Sequence, residues 1–173
     1  KGVDASPALD VYNGEWLDDR RHGNGVCNYA NGDKYDGLWQ DDKPHGKGLK
    51  IHSNDDKYEG MWRGGRQHGN GVYTWTTGAK YEGMWLNGNY NGKGAYTYSS
   101  GTKYDGEWKA GKRHGKGLCV YSNGDKYDGE WKEDSRHGQG VCTSPNGEKY
   151  DGDWKDDRRH GKGVSTHSTD GKY

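Results

Sequence analysis

Histidines recur along this chain at a spacing of 23 residues, each directly before a glycine, and the series is interrupted once, at Asn91. The series comprises His22, His45, His68, His114, His137 and His160. Histidine ligates metals and changes charge near neutral pH. If each repeat supplies two strands, neighbouring members lie about 10 Å apart, too far to share one metal ion. Two interpretations stay open: a turn-shaping residue before glycine, or a switch between about pH 7.5 and 5.5.

Other residue patterns give little support for chemistry. The pairs Asp18-Asp19 and Asp41-Asp42 lack the surrounding pattern of a calcium-binding loop and are followed by basic residues. The His-Gly-x-Gly segments are not followed by a predicted helix or by Gly-Lys-Ser/Thr, so a nucleotide site is not indicated. No serine, cysteine or carboxylate has a partner set for hydrolysis. We therefore predict a protein that is not an enzyme, with no metal and no cofactor.

The three cysteines occupy one position of the repeat: Cys27, Cys119 and Cys142. Cys119 and Cys142 are one period apart, which predicts a separation of about 10 Å in a two-stranded repeat. A disulfide requires alpha carbons within about 7 Å. We therefore expect free thiols in a reducing compartment, with the cytoplasm as the predicted location.

The composition favours a thin core of tyrosine and tryptophan. Only 27% of the 173 residues are hydrophobic, but the chain has 14 Tyr and 8 Trp, which bury large areas while keeping a polar atom. The formal net charge is zero, which argues against nucleic acid as a partner. No apolar stretch is long enough to span a bilayer as a helix.

The unit of the chain is Tyr-x-Gly-x-Trp, repeated every 23 residues without an insertion. Repeats start at residues 12, 35, 58, 81, 104, 127 and 150, and Tyr173 opens an eighth. We number them first to seventh. A fixed period of this size predicts a linear array whose units pack on their neighbours. The predicted array covers 12–173, truncated at 173, and 1–11 form an N-terminal flank or a cut end of a longer protein.

Each repeat is predicted to form a β-hairpin. Alternating segments flank pairs such as Asn31-Gly32, a typical two-residue turn. Such a turn places residue 28 opposite 35, 26 opposite 37 and 24 opposite 39. We call face A the face that carries Tyr35, Gly37 and Trp39, and face B the opposite one. This register assigns Val26 to face A, and it assigns Lys34, Asp36, Leu38, Cys27 and Tyr29 to face B.

The fold class that follows is all-β: an elongated, twisted single antiparallel sheet, a β-meander of about seven hairpin repeats. A single sheet has no second layer, so the rings of face A must form the core. The predicted structural core is Tyr35, Trp39, Tyr58, Trp62, Tyr81, Trp85, Tyr104, Trp108, Tyr127, Trp131, Tyr150 and Trp154.

Residues 104–117, Tyr-Asp-Gly-Glu-Trp-Lys-Ala-Gly-Lys-Arg-His-Gly-Lys-Gly, closely resemble the MORN repeat (membrane occupation and recognition nexus). The resemblance covers about residues 12 to 173, seven repeats plus the start of an eighth. It implies an elongated sheet of hairpins and a role as a scaffold, oligomer or targeting module in cytoskeletal, ciliary or membrane-associated assemblies. It also implies links to phosphoinositides and partner peptides held in the groove of the sheet. No catalytic residue is shared by the family.

Two surfaces are candidates for binding. The fifth repeat carries Lys109, Lys112, Arg113 and Lys116 with no acid among them, which predicts a patch for an acidic phospholipid or an acidic partner. The third and fourth repeats carry additional rings, which predict a partner groove: Tyr73, Trp75, Tyr90, Tyr96 and Tyr98.

The ends of an open sheet expose strand edges, which pair readily. We therefore predict a homodimer formed through a terminal edge. The predicted function is a non-enzymatic scaffold for protein interactions, with a membrane-targeting module and a peptide-binding groove as the alternatives.

Overall fold

A computed structural model describes residues 9–167, which form 14 strands and no helix. The strands are β1 Val11–Leu17, β2 Arg20–Asn28, β3 Lys34–Gln40, β4 Lys43–Ile51, β5 Lys57–Arg63, β6 Arg66–Thr74, β7 Lys80–Leu86, β8 Asn89–Thr97, β9 Lys103–Lys109, β10 Lys112–Val120, β11 Lys126–Lys132, β12 Ser135–Thr143, β13 Lys149–Lys155 and β14 Arg158–Thr166. All belong to one antiparallel sheet in chain order. The predicted fold class, a β-meander of hairpin repeats, is confirmed.

The chain divides into two compact units. The N-terminal unit contains the residues up to Gly78 together with Trp85–Gly88, and the C-terminal unit contains Ala79–Met84 and the residues from Asn89 onward. In the N-terminal unit, β1 to β6 pair with their neighbours in chain order. In the C-terminal unit, β8 to β14 do the same. The local geometry of the repeat is the same in both units.

The Asn-Gly loops contain three central residues, and the prediction of a two-residue turn there is wrong. In the first of them, the amide of Gly32 donates to the carbonyl of Tyr29 at 2.9 Å, and the amide of Tyr29 donates to the carbonyl of Asp33 at 2.8 Å. Gly32 has a φ of 88° whereas Asn31 does not have positive φ. This is a three-residue loop with a left-handed glycine rather than a type I′ turn.

The two-residue turns lie at the opposite ends of the strands. Leu17 pairs with Arg20, and the two residues between them, Asp18 and Asp19, have φ values of 48° and 59°. Both residues of every such turn have positive φ, which a type I′ turn requires. The Asp-Asp pairs are therefore turn residues, which short polar side chains suit because they tolerate the left-handed region.

The extra loop residue shifts the register by one, so that the residues of β2 and of its loop lie on the faces opposite to those predicted, whereas Lys34, Asp36 and Leu38 lie on face B as predicted. Cys27 lies opposite Tyr35, and Val26 lies opposite Asp36. The assignment of Val26 to face A is therefore wrong, as is that of Cys27 and Tyr29 to face B. The side-chain period in a strand is two, so a slip of one residue moves every side chain to the other face.

Glycine pairs make room for the tyrosine rings of face A. Gly37 lies opposite Gly48, and a methyl group at Gly48 would lie 2.2 Å from the Tyr35 hydroxyl. The hydroxyl of Tyr35 donates to the carbonyl of Leu38 at 2.9 Å, so its polar atom is satisfied. The tyrosine therefore lies flat over the backbone with no exposed surface.

Tryptophans join successive repeats through edge-to-face contacts. The Tyr35 ring lies 5.0 Å from Trp39 in its own repeat and 5.4 Å from Trp62 in the next, both near perpendicular. The indole N–H of Trp39 donates to the carbonyl of Gly25 at 3.0 Å, on the preceding strand. All twelve predicted core residues are buried. The packed ring ladder on face A thus serves as the interior of this single-layer fold.

Candidate functional site

Arginines on face A are held against the ring ladder by the turn of the following repeat. The guanidinium of Arg21 lies 4.4 Å from the ring centre of Trp39. Its Nε lies 3.2 Å from the carboxylate of Asp42, and its Nη2 donates to the Asp42 carbonyl at 3.1 Å. The backbone amide of Arg21 donates to the same carboxylate at 2.9 Å, which holds the pKa of Asp42 below its ordinary value.

The same clasp recurs twice in the C-terminal unit, each time between an arginine and the aspartate 21 residues after it. The pairs with arginine and aspartate are Arg21 with Asp42, Arg113 with Asp134 and Arg136 with Asp157. In three other repeats the arginine is absent, and a glycine then stands at the aspartate position: Pro44 with Gly65, Gln67 with Gly88 and Tyr90 with Gly111. Arg21, Arg113 and Arg136 are therefore neutralised locally, and they are part of the fold rather than free cations. The sequence contained this signal, but sequence analysis did not identify it.

In the N-terminal unit, Tyr73 and Trp75 form a pair of rings on face A. Their ring centres are 4.3 Å apart, and Tyr73 lies 6.3 Å from the buried ring of Trp85. His52 lies 5.9 Å from Tyr73 on the other side. Tyr73 and Trp75 are only half-buried, and this burial raises the pKa of Tyr73. The pair thus presents partly accessible aromatic surface on a rigid base.

In the C-terminal unit, the fourth repeat presents a second group of rings. Tyr90 stacks on Tyr81 with ring centres 3.9 Å apart and lies 5.2 Å from Trp108. Tyr96 lies 4.2 Å from Tyr98, and burial raises the pKa of both hydroxyls. All three added tyrosines are half-buried. Within each unit, the predicted groove residues therefore lie together on face A.

The register correction adds one further residue to face A of the C-terminal unit, which sequence analysis missed. Tyr121 occupies the position of Tyr98 in the next repeat, is half-buried, and has its pKa raised by burial to about 12. It lines an open cleft of about 420 Å³ together with Arg136 and Cys142. The mistaken two-residue turn had placed this loop position on face B.

The four cations of the predicted patch do not lie on one face. Arg113 lies on face A, where its guanidinium is 4.2 Å from the Trp131 ring centre and bound to Asp134. Lys109 and Lys112 are paired across their turn on face B, and Lys112 is 3.9 Å from the carboxylate of Glu133. The fourth cation, Lys116, also lies on face B, opposite Glu130. Three lysines of the patch therefore share a face, and binding of an acidic ligand there stays a prediction.

The histidines lie on face B beside the strand that carries the tyrosine and tryptophan. His114 is paired with Glu107, and His137 with Glu130, with the Nδ1 of His137 3.9 Å from Asp156. In the part of the chain that the structure describes, no three His, Cys, Asp or Glu side chains are arranged to hold a metal ion. The pH switch stays a prediction.

The three cysteines are free thiols, as predicted. Cys27 and Cys119 are buried on face A and Cys142 is half-buried. Burial raises the pKa of the Cys27 and Cys119 thiols, which makes them poor nucleophiles. Cys27 and Cys119 act as small packing residues in contact with Arg21 and Arg113. Across residues 9–167, no helix has the length and apolar character that crossing a bilayer requires.

A family model described as MORN repeat matches seven consecutive segments: 12–34, 35–57, 58–80, 81–103, 104–126, 127–149 and 150–172. Among solved structures, the chain is similar to the TCP domain of Drosophila melanogaster SAS-4 (dCPAP), solved in complex with a proline-rich motif of Ana2 (dSTIL). The identity is 13%, the TM-score is 0.44, and 84% of each chain is covered.

It is also similar to the TCP10 domain of Danio rerio CPAP, solved in complex with a STIL peptide. The identity is 14% and the TM-score 0.47, with 84% of this chain and 64% of that chain covered. Comparison with curated protein sequences gives no match.

Proposed function

The chain belongs to the MORN-repeat family, and from this premise we propose that it is a non-enzymatic scaffold that holds an extended segment of a partner protein against face A. One observation carries the proposal. Above the buried ladder, a second set of rings is only half-buried, although its members are held by contacts with that ladder and with one another. Rigid, partly exposed tyrosine and tryptophan side chains are the residues that dominate protein-binding surfaces.

The spacing of the rings favours a proline-rich segment as the ligand. In the C-terminal unit, Tyr98 and Tyr121 occupy equivalent positions two strands apart, which corresponds to about 9.6 Å. A polyproline II helix rises about 3.1 Å per residue, or about 9.3 Å per turn of three residues. Every third residue of such a segment would therefore meet an equivalent ring. Aromatic grooves bind this conformation because its ordering entropy is already low.

The test measures binding of a fluorescein-labelled decaproline peptide by fluorescence anisotropy, with a Gly-Ser peptide of the same length as its control. We expect saturable binding of decaproline, weakened at least tenfold by Tyr96→Ala with Tyr98→Ala, since hot-spot aromatic side chains contribute more than about 1 kcal/mol each. The matched variant Lys103→Ala with Lys126→Ala alters face B of the same unit and should bind normally.

Circular dichroism establishes that both variants keep their strands. Absence of saturable decaproline binding would reject a polyproline ligand. Equal affinity of the tyrosine variant and the wild type would reject face A as the binding surface.

Association of two copies through a terminal strand is the second part of the proposal. In the described sheet, β1 and β14 stand at the two ends of the strand order. Trp16 on β1 is 59% exposed, whereas the six tryptophans of the predicted core are at most 5% exposed. A partner strand would bury this ring. Multi-angle light scattering over a range of concentrations should show a dimer, and a monomer throughout would contradict it.

An acidic phospholipid is a second candidate ligand, favoured by one observation. Lys109 and Lys112 are paired across Ala110-Gly111, a turn that contains no acid. Vesicles with phosphatidylserine should therefore pellet the protein at low salt, and Lys109→Gln with Lys112→Gln should reduce pelleting. Unchanged pelleting of this variant would reject the candidate.

The cellular setting that we propose is a cytoplasmic scaffold in cytoskeletal, ciliary or membrane-associated assemblies. Family membership supports this setting. Imaging of a fluorescent fusion checks it, and a uniform distribution of the full-length protein would count against it.

A further inference from the structure

Carboxylates on face B stabilise a β-bulge in four of the seven repeats. In the first repeat, the register shifts between Gly14 and Trp16, and the carboxylate of Glu15 accepts the backbone amide of Asn24 at 2.9 Å. Equivalent bonds join Glu107 to Lys116, Glu130 to Gln139 and Asp153 to Lys162. The amide of Asn24 holds the pKa of Glu15 below its ordinary value, as expected for a favourable contact with the ionised form.

In the N-terminal unit, the second and third repeats place large apolar residues where the first has Glu15. Leu38 and Met61 occupy this position and are 38% and 37% exposed. Their side chains cannot accept the amides of Lys47 and Asn70, so they forgo the bond that a carboxylate makes. The exchange therefore gives up a local hydrogen bond and leaves apolar surface partly exposed to solvent.

These two residues belong to a continuous apolar zigzag on face B. Five consecutive strands contribute one member each, from β2 to β6: Val26, Leu38, Leu49, Met61 and Val72. Neighbouring members are diagonal partners on adjacent strands, about 7–8 Å apart, which lets large side chains form one surface. The zigzag is thus a partly exposed apolar band on face B, with Leu38 and Met61 exposed and the other three members half-buried.

The band is flanked by cations that form no ion pair with any residue in 9–167. The exposed cations on face B of the second and third repeats are Lys34, Lys43, Lys47, Lys57, Arg63 and Arg66. None of these six forms an ion pair in the described residues. The strands β3 to β6 contain two carboxylates, Asp36 and Glu59, and Asp41, in the turn between β3 and β4, pairs with Arg20 at 3.7 Å. The surface is therefore apolar along its middle and positive around it.

We propose that face B of the N-terminal unit binds an acidic amphipathic helix of a partner protein, with its apolar stripe on the zigzag and its carboxylates near Lys43, Lys47, Arg63 and Arg66. A helix buries its apolar stripe against a sheet face, whereas an extended strand pairs with a sheet edge. The acidic flanks of the helix complement the six cations.

Two other occupants fit this surface less well. A second copy of the chain would bring two positive surfaces together, which costs free energy through like-charge repulsion. An anionic bilayer would have to approach the carboxylates of Asp36 and Glu59, both of which are paired with Leu49 of the zigzag. The site is separate from the face A groove, so binding at one does not require the other.

The probe is a synthetic 18-residue helix with leucines at i, i+3, i+4 and i+7 and glutamates on both flanks, and a lysine-flanked version is its control. Calorimetry should show saturable binding of the glutamate peptide only. Leu38→Glu with Met61→Glu should weaken binding at least tenfold. Thr97→Glu with Thr143→Glu makes the same change of charge on face B of the C-terminal unit and should alter affinity less than twofold.

The Leu38→Glu and Met61→Glu variant introduces the residue that the chain itself uses at the equivalent positions. Its thermal midpoint should therefore equal or exceed that of the wild type, which separates lost binding from lost folding. Three results would overturn the proposal: no saturable binding of the glutamate peptide, an equal loss in both double variants, or a lowered midpoint. If phosphatidylserine vesicles bind the wild type but not the Leu38→Glu and Met61→Glu variant, and the peptide does not bind, the surface is a membrane-binding surface instead.

Discussion

Gly117→Ala tests whether the tyrosine rings need bare backbone beneath them. A methyl group at Gly117 would lie 2.3 Å from the hydroxyl and 2.5 Å from Cζ of Tyr104, where nonbonded carbons prefer about 3.5–4.0 Å. The Tyr104 ring is fully buried between Trp108 and Trp131 at 5.0 and 5.3 Å, and its hydroxyl donates to the backbone carbonyl of Glu107 at 3.0 Å. Displacing it by about 1 Å combines overpacking with a lost hydrogen bond, about 2–4 kcal/mol.

Urea denaturation followed by tryptophan fluorescence measures the loss. Gly101→Ala is the matched control, because its φ is 88° and no atom lies within 4 Å of the added methyl group. It should cost only about 1 kcal/mol, from backbone conformation. In a Tyr104→Leu background, Gly117→Ala should become nearly neutral, since the clash is gone. The reasoning is refuted if Gly117→Ala costs no more than Gly101→Ala.

Three further predictions concern the clasp, pH and the indole bond. Arg21→Lys should lower the free energy of unfolding by about 1–2 kcal/mol, because lysine cannot reproduce the guanidinium contacts with Asp42, whereas Arg20→Lys should change it by less than about 0.5 kcal/mol. The stability that ionised Asp42 contributes should be present above about pH 4 and be lost as pH falls through its lowered pKa. The thermal midpoint of the wild type should therefore decline between about pH 4 and 2, and that of Asp42→Asn should decline less. Trp108→Phe should lower the free energy of unfolding by about 1–3 kcal/mol, because the buried carbonyl of Gly94 loses its indole donor. Trp16→Phe, at an exposed ring, should lower it by less than about 0.5 kcal/mol in the same denaturation assay.

The sequence predicted the period, the strands and the buried rings because each depends on residue types that repeat without variation. It did not predict the register, because two kinds of turn compete for residues of similar chemistry. Asn31-Gly32 suits a two-residue turn as well as a three-residue loop, and the Asp33 amide, which donates to the Asn31 side chain at 3.0 Å, favours the longer form. The residues that decide the register lie in the turns at the opposite ends of the strands, where Asp18-Asp19 and its equivalents supply two positive-φ residues in all seven repeats.

How well each candidate surface was predicted depended on whether its residues were assigned to the correct face. Tyr96 and Tyr98 were identified because their repeat contains additional aromatic residues. Tyr121 was not identified, and Tyr29, its equivalent in the first repeat, was assigned to the wrong face. The arginine clasp depends on pairs 21 residues apart, such as Arg113 with Asp134, and a single-repeat pattern does not reveal them. The apolar zigzag contains Leu38 and Met61, which replace acidic residues of other repeats. The replacement becomes informative only once the structure shows that those carboxylates accept backbone amides at the bulge.

Hydrogen exchange of the indole N–H groups, measured by NMR on tryptophan-labelled protein, tests most directly that stacked rings form the interior of this sheet. Trp39, Trp62, Trp85, Trp108, Trp131 and Trp154 each donate to a glycine carbonyl 14 residues earlier. We expect these six indoles to exchange slowly and that of the exposed Trp16 to exchange rapidly. Six indoles that exchange as fast as Trp16 would contradict the account.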